Sequence, residues 1–91
     1  MFLEFDGYFI NLAKINNIKA STEAWEADVW DLSIDMGSDD GETIWLLKGF
    51  DGLAHAEEFR RAVIRHACTT GLCTGEDMDQ IFLSTKPVPP Q

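Results

Sequence analysis

The chain has 91 residues, a length that fits one domain with a modest core, and its 45% hydrophobic content excludes a disordered acidic tail. The formal net charge of −9 at pH 7 repels DNA, RNA and anionic membranes, and it attracts basic surfaces. We find no signal-peptide pattern and no run near the roughly 20 apolar residues that cross a bilayer, so we expect a cytoplasmic protein with reduced cysteines.

The first part of the chain is predicted to form strands. Asp6-Gly7 lies between two apolar runs, which predicts a hairpin that pairs residues 2–5 with residues 8–12. The next apolar residues recur at every third position, a spacing typical of neither a strand nor an α-helix. We therefore expect a tight corner that leads into a strand at about residues 17–21.

Residues 28–36 alternate between large apolar and polar side chains. This two-residue period is typical of a half-buried strand with one solvent-exposed face. The apolar set is Trp30, Leu32, Ile34 and Met36, and the polar set is Asp31, Ser33 and Asp35. We expect the first set in the core and the second in solvent. A turn at residues 37–41 then leads to a strand at residues 43–48. This strand is apolar on both faces and should lie centrally or beneath a helix.

A long helix is predicted from about Gly52 to Thr70. Asp51 is expected to cap its first amide groups, and Gly71 is expected to end it. Apolar side chains recur along one face at helical spacing and should pack against the sheet. They are Leu53, Ala56, Phe59, Val63 and Ala67, with Ile64 at the edge of the stripe.

A shorter element should begin near Thr74, with Asp77 at the position where a capping box prefers Glu or Gln. Prolines make residues 86–91 an extended tail, so the compact domain is expected to span residues 1–85. Together these elements predict an α+β fold, in which an antiparallel sheet of four or five strands carries one long helix on a face and a short C-terminal element.

Nothing in the sequence indicates an enzyme. A thiol nucleophile needs an imidazole within hydrogen-bond reach, but His66 and Cys68 are two residues apart on a helix and point to different sides. Cys68 follows Ile64 by four residues, so we expect it to be a small core residue. The chain also lacks a phosphate-binding glycine-rich loop and a dinucleotide motif.

The sequence predicts no metal site and no cofactor. The sequence contains an H-x-C-x4-C pattern at His66, Cys68 and Cys73. A structural zinc site usually has two pairs of ligands that are close in sequence, and no second pair is present. The acids of residues 35–42 do not follow the alternating ligand positions of a calcium-binding EF-hand loop. A solvated acidic hairpin loop is the simpler interpretation of that segment.

Direct nucleic-acid binding is not expected either. The seven basic residues are scattered, apart from Arg60, Arg61 and Arg65 on the outer face of the predicted helix. We expect these arginines to pair with Glu57 and Glu58. The four-residue spacing of Glu57 and Arg61 is the favourable one.

The most unusual feature is the acidic segment in the middle of the chain. Residues 20–47 contain eight acidic and no basic residues, a net charge of −8. We predict that this segment contacts the basic surface of a protein that handles nucleic acid, with Trp25 as an anchor if it is exposed. The candidate contact residues are Glu23, Trp25, Glu26, Asp28, Asp31, Asp35, Asp39, Asp40 and Glu42.

In size, charge and α+β character the chain resembles the small inhibitors of phages, such as anti-CRISPR and anti-restriction proteins. It is also similar in size and charge to the immunity proteins that neutralise nuclease toxins. These resemblances rest on size, charge and fold class, and not on a shared sequence motif. They imply tight binding to a nucleic-acid-handling protein in a bacterial cytoplasm, with carboxylates taking the place of phosphates.

An alternative from another class is a small structural or regulatory module. Such a module would be a homodimer formed through sheet edges or through an exposed apolar face of the helix. The inhibitor hypothesis is compatible with a monomer or a dimer.

Overall fold

The computed structural model describes residues 1–23, 26–36 and 42–87, and it describes residues 23 and 26–29 by their backbone alone. Within these ranges the fold is α+β, with six strands and two α-helices. The elements are β1 (Phe2–Phe5), β2 (Tyr8–Asn11), a 3-10 turn (Leu12–Lys14), β3 (Asn17–Glu23), β4 (Glu26–Asp35), β5 (Thr43–Phe50), α1 (Leu53–Thr70), β6 (Leu72–Thr74) and α2 (Gly75–Thr85).

The strands form two three-stranded sheets in the described part of the chain, so the single sheet of four or five strands predicted above is wrong. The first sheet has the order β2-β1-β6. The Asp6-Gly7 hairpin joins β1 to β2 as predicted, with φ of 47° at Asp6 and 82° at Gly7. The other edge of β1 pairs in parallel with β6, from Phe2 opposite Leu72 to Glu4 opposite Thr74. Because β2 and β6 occupy both edges of β1, no strand of the central segment pairs with β1.

The second sheet has the order β3-β4-β5 and is antiparallel. The 3-10 turn after β2 is the predicted tight corner, and it sends the chain from one sheet to the other. β5 lies at an edge of this sheet, so the central position, one of the two alternatives predicted for residues 43–48, is wrong. Side chains alternate along the strand, so Ile44 and Leu46 lie on its buried face while Leu47, on the other face, is 62% exposed.

One core is shared by both sheets and both helices. α1 buries the predicted residues Ala56, Phe59, Val63 and Ala67 against it, and Ile64 packs at its margin. Leu53, which was also placed on that stripe, is 48% exposed. The sheets contribute mainly aliphatic residues. These are Leu3, Ile10, Ile18, Leu32, Ile34, Ile44 and Leu46.

The start of α1 depends on His55 rather than on the predicted Asp51 cap. The N-cap is Gly52, which makes no side-chain cap hydrogen bond. The buried His55 ring instead accepts the amide N–H of Asp51 at Nδ1 (3.3 Å), so its other nitrogen carries the proton and donates to the carbonyl of Phe82 (3.1 Å). The ring therefore joins the start of α1 to the last turns of α2. Phe50 meets the same ring edge-on at 5.1 Å.

Neither described helix is long and apolar enough to cross a membrane. α2 ends at Thr85, and Lys86 has extended backbone (φ −61°, ψ 133°). The predicted tail continues beyond it, and residues 88–91 lie outside the described residues.

The predicted solvent exposure of Asp31 is wrong. Leu32 and Ile34 do lie in the core, but Asp31 and Ser33 on the other side of β4 are also buried, at 2% and 4% exposure. Ser33 is shielded between its cross-strand neighbours Lys19 and Trp45. The pattern of alternation identified the two faces of the strand, but it did not show that Asp31 and Ser33 are buried on the second face.

Asp31 is buried because it fills a bulge in β5. The pairing passes from Trp30–Phe50 to Leu32–Leu46, so three residues of β5 lie opposite Asp31 alone. Asp31 Oδ1 accepts the amide N–H groups of Lys48 (2.8 Å) and Gly49 (2.9 Å). Gly49 has φ +63°, in the left-handed region that favours glycine. The carboxylate thus replaces the backbone partners that the bulge removes.

We expect Asp31→Ala to lower the free energy of unfolding by about 2–3 kcal/mol, because two amide groups lose an acceptor that carries charge. Asp31→Asn keeps one acceptor oxygen and should cost less. Urea denaturation followed by circular dichroism measures both. Asp51→Ala removes the same charge from an exposed side chain and should stay within about 0.5 kcal/mol of the parent protein. Equal losses in Asp31→Ala and Asp51→Ala would contradict this role.

Candidate functional site

The acidic segment divides between the two ends of the second sheet. Glu23 and Glu26 pair with each other where β3 turns into β4, whereas Asp35 pairs with Asn17 and Thr43 at the opposite end. β4 runs from Glu26 to Asp35, so nine steps at about 3.3 Å place these ends roughly 30 Å apart. The candidate contact residues therefore do not form the continuous face that the sequence suggested.

We call Asp35, Asp39, Asp40 and Glu42 the acidic hairpin end. The amide of Met36 donates to the carbonyl of Glu42 (3.1 Å), which closes the hairpin between β4 and β5. Asp35 is half-buried and accepts a hydrogen bond from Asn16 Nδ2 (3.1 Å), whereas Glu42 is exposed. Sheet pairing holds the backbone of Asp35 at this end, and the Met36 hydrogen bond holds that of Glu42.

The remaining candidates are placed only in part. Asp39, Asp40 and Trp25 lie outside the described residues, so the role of Trp25 as an anchor stays a prediction. Glu23, Glu26 and Asp28 are placed by their backbone alone. Asp31 is buried inside the sheet and presents no charge at the surface.

Three of the seven basic side chains pair with acidic side chains in the described part of the chain. Arg60 pairs with Glu57 (2.9 Å) and Arg61 pairs with Glu58 (2.6 Å). The expected pairing of these two arginines is confirmed, but each pair has a spacing of three rather than the predicted Glu57–Arg61 spacing of four. Lys48 pairs with Asp79. Lys19 lies on β3 opposite Ser33. Asn17, two residues before Lys19 on the same strand, lies opposite Asp35, so Lys19 is a basic residue close to the acidic hairpin end.

A second polar group forms where three elements meet. His66 lies on α1, Cys73 on β6 and Asp77 in the first turn of α2, and one potential ligand atom from each lies within 4.8 Å of the other two. His66 Nε2 is 3.2 Å from Asp77 Oδ2. The Cys73 side chain is fully buried, whereas the side chains of His66 and Asp77 are 34% and 38% exposed. The thiol therefore forms the floor of a shallow site with a polar rim.

The capping box of α2 holds Asp77 in place. The Asp77 amide donates to Thr74 Oγ1 (3.2 Å), and the Thr74 amide donates to Asp77 Oδ2 (3.1 Å). The hydrogen bond from the Thr74 amide lowers the pKa of the Asp77 carboxyl below its ordinary value. Burial opposes this shift, whereas the Thr74 hydroxyl and His66 lower the pKa further. Aspartate thus completes a capping box that usually contains Glu or Gln.

Cys73 is not an activated nucleophile. Burial and the neighbouring charge of Asp77 raise the pKa of its thiol to about 11. A nucleophilic cysteine needs the opposite shift, because the thiolate is the reactive form. Full burial also keeps a substrate away from the sulfur.

Sequence reasoning assigned Cys68 the wrong environment and did not identify the buried position of Cys73. Cys68 was expected in the core, but it is exposed, with Sγ 3.0 Å from Met1 Sδ. It follows Ile64, which itself lies only at the margin of the buried stripe. The signal that identifies the actual group is the Gly71 turn, which reverses the chain between His66 and Cys73, combined with the Thr74–Asp77 capping pattern.

We expect a thiol reagent to modify Cys68 quickly and Cys73 about 100-fold more slowly at neutral pH, because Cys73 is buried and holds little thiolate. Mass spectrometry of a timed iodoacetamide reaction measures both rates. Cys68→Ala should leave only the slow reaction, Cys73→Ala only the fast one, and in denaturant the two rates should converge. A fast reaction at Cys73 in the folded protein would show that its burial is wrong.

The lowered pKa of Asp77 gives its stabilising effect a defined pH range. A carboxyl whose pKa is depressed on folding stabilises the protein above its unfolded-state pKa, about 3.9, and loses that effect as the pH falls through the folded-state value. The difference in unfolding free energy between the parent protein and Asp77→Asn should therefore shrink below about pH 4.

Urea denaturation from pH 7 to pH 2 tests this expectation. Glu76→Gln is the matched control, since it removes one charge from the same turn without touching Thr74 or His66. The pH-dependent part of the loss in unfolding free energy should be larger for Asp77→Asn than for Glu76→Gln. A difference that is constant across the range would contradict the assigned role of the carboxylate.

Comparison of the chain with protein-family models, with curated proteins and with solved structures finds no match. The geometry of the residues themselves must therefore carry any functional proposal.

Proposed function

We propose that this chain is a non-enzymatic binding protein that inhibits a nucleic-acid-handling protein by presenting the acidic hairpin end to a basic surface of that protein. The observation that carries the proposal is the one-signed charge of residues 20–47, which hold eight acidic and no basic residues. The fold concentrates part of this charge, because the closed hairpin brings Asp35 and Glu42 to one end of the sheet.

The physical basis of the proposal is electrostatic complementarity. Proteins that hold nucleic acid do so with Lys and Arg, and a cluster of carboxylates accelerates encounter with such a surface at low ionic strength. Engagement of Arg60 and Arg61 with Glu57 and Glu58 limits the opposing positive charge on α1. Anti-CRISPR-like inhibition, DNA mimicry and neutralisation of a nuclease toxin all use this chemistry.

The acidic hairpin end is a better candidate for the contact than Asp31. Substitution of Asp31 would disturb the bulge of β5 and so would report on folding rather than on binding. Glu42 is exposed, and its backbone carbonyl rather than its side chain makes the closing hydrogen bond of the hairpin.

Three charge-reversal variants test the proposal. The first changes Asp39, Asp40 and Glu42 to Lys at the acidic hairpin end. The second changes Glu23, Glu26 and Asp28 to Lys at the other end of the sheet, and the third changes the distant exposed residues Glu4, Asp51 and Glu76 to Lys. Each variant raises the formal charge by the same amount, so differences between them report position rather than total charge.

The measurement is capture of basic proteins from a bacterial lysate, followed by affinity determination for the captured protein over a salt series. We expect the first variant to lose at least about 100-fold in affinity and most of the salt dependence, because several charge pairs are reversed at once. The third variant should bind nearly as well as the parent protein. Double-stranded DNA should compete with the parent protein for the captured partner.

The outcomes separate the alternatives. Equal loss in all three variants, or capture that is independent of salt, would contradict a defined acidic contact. Loss in the second variant alone would move the contact to the Glu23–Glu26 end. Sedimentation at several concentrations tests the homodimer alternative, which is favoured by the exposed Phe9 (64%) on the edge strand β2.

A further inference from the structure

The geometry points to a zinc site formed by His66, Cys73 and Asp77, which is separate from the acidic hairpin end. These are the three residues whose ligand atoms converge within 4.8 Å, on α1, β6 and α2 respectively. We propose that this group binds one Zn²⁺ through the imidazole, the thiolate and the carboxylate, with a water in the fourth position.

The donor set selects the metal. Imidazole nitrogen, thiolate sulfur and carboxylate oxygen are the three ligand types of zinc, with bonds of about 2.0–2.3 Å. Ligand atoms around a tetrahedral zinc ion therefore lie roughly 3.3–3.8 Å apart, a range reached from the present spacing by small side-chain movements. Calcium and magnesium require mostly oxygen ligands, and a thiol with one carboxylate does not supply them.

The backbone already holds the three ligands in place. The left-handed Gly71 (φ 89°) ends α1 and turns the chain, so that β6 returns Cys73 beside His66. The capping box fixes Asp77 through the Thr74 amide. On metal binding the ion replaces the proton between His66 and Asp77, and the Cys73 thiol releases its proton to solvent as the sulfur–metal bond forms.

The burial pattern fits an ion better than a thiol-based reaction. Cys73 is fully buried, so an organic substrate cannot reach the sulfur. An ion can enter from the rim, where His66 and Asp77 are 34% and 38% exposed. Zinc sites that bind a water as their fourth ligand have three protein ligands, which is the number present here.

The exposed Cys68 supplies a stringent control. It lies two residues after His66 and completes the H-x-C-x4-C pattern in the sequence, yet the structure brings Asp77 rather than Cys68 to the group. A site built from the sequence pattern would need Cys68, whereas the proposed site does not.

Cobalt titration of the full chain under reducing conditions tests the proposal. Co²⁺ bound to a thiolate in a tetrahedral site gives a charge-transfer band and visible d–d bands, and Zn²⁺ should displace it. We expect saturation at one equivalent in the parent protein and in Cys68→Ala. Cys73→Ala should lose the charge-transfer band. His66→Gln and Asp77→Asn should each weaken binding about 100-fold, since each replaces a direct zinc ligand by a neutral amide that binds zinc weakly.

Folding of every apo variant is checked by circular dichroism. Asp77→Asn keeps an oxygen that can accept the Thr74 amide, and His66→Gln lies on the rim, so these two variants carry the test if Cys73→Ala does not fold. Absence of a stoichiometric charge-transfer band in the parent protein would overturn the proposal. Retention of the band in Cys73→Ala with loss in Cys68→Ala would overturn it as well.

Discussion

The carboxylate of Asp31 is the contact on which the second sheet depends. A bulge in β5 deprives two amide groups of strand partners, and Asp31 supplies the acceptor for both. Beyond the bulge the chain resumes pairing at Phe50, whose ring packs against Phe59 (4.9 Å) and Phe82 (5.5 Å). The same acid therefore fixes the register of the β4–β5 hairpin on one side and the entry of the chain into the helical layer on the other. An acidic residue that looks like surface charge is structural here.

Acidic residues in this chain have three distinct roles, although the sequence shows them as one excess of negative charge. Asp31 completes a sheet, Asp77 caps a helix and faces His66, and Asp35 and Glu42 lie at the end of a hairpin. Of the two hairpin residues, Glu42 is exposed and Asp35 is half-buried, so the last role places acidic residues at the protein surface. Net charge accounts for the long-range attraction of a basic protein, whereas the fold decides which carboxylates can meet it.

Local rules predicted the local features of the fold. The Asp6-Gly7 hairpin, the corner after β2, the end of α1 at Gly71 and the capping pattern at Thr74 follow from residues that are close in sequence. The division into two sheets depends on β6, which has only three residues and no periodicity to detect. The burial of Asp31 depends on a bulge in another strand, and the His66–Cys73–Asp77 group depends on the packing of three elements. Such features arise from tertiary contacts that a local pattern does not contain.

The parallel pairing of β1 with β6 has a consequence for the order of folding. Phe2 finds its partner at Leu72, so the first strand closes its sheet across almost the whole chain. A ribosome must release most of the protein before this contact can form, and loop-closure entropy makes such distant pairings slow. The β3–β4–β5 meander, by contrast, joins neighbours in sequence. We therefore expect the meander to form first and the terminal sheet to close last, which makes docking of the N-terminal hairpin the slow step in reaching the native core.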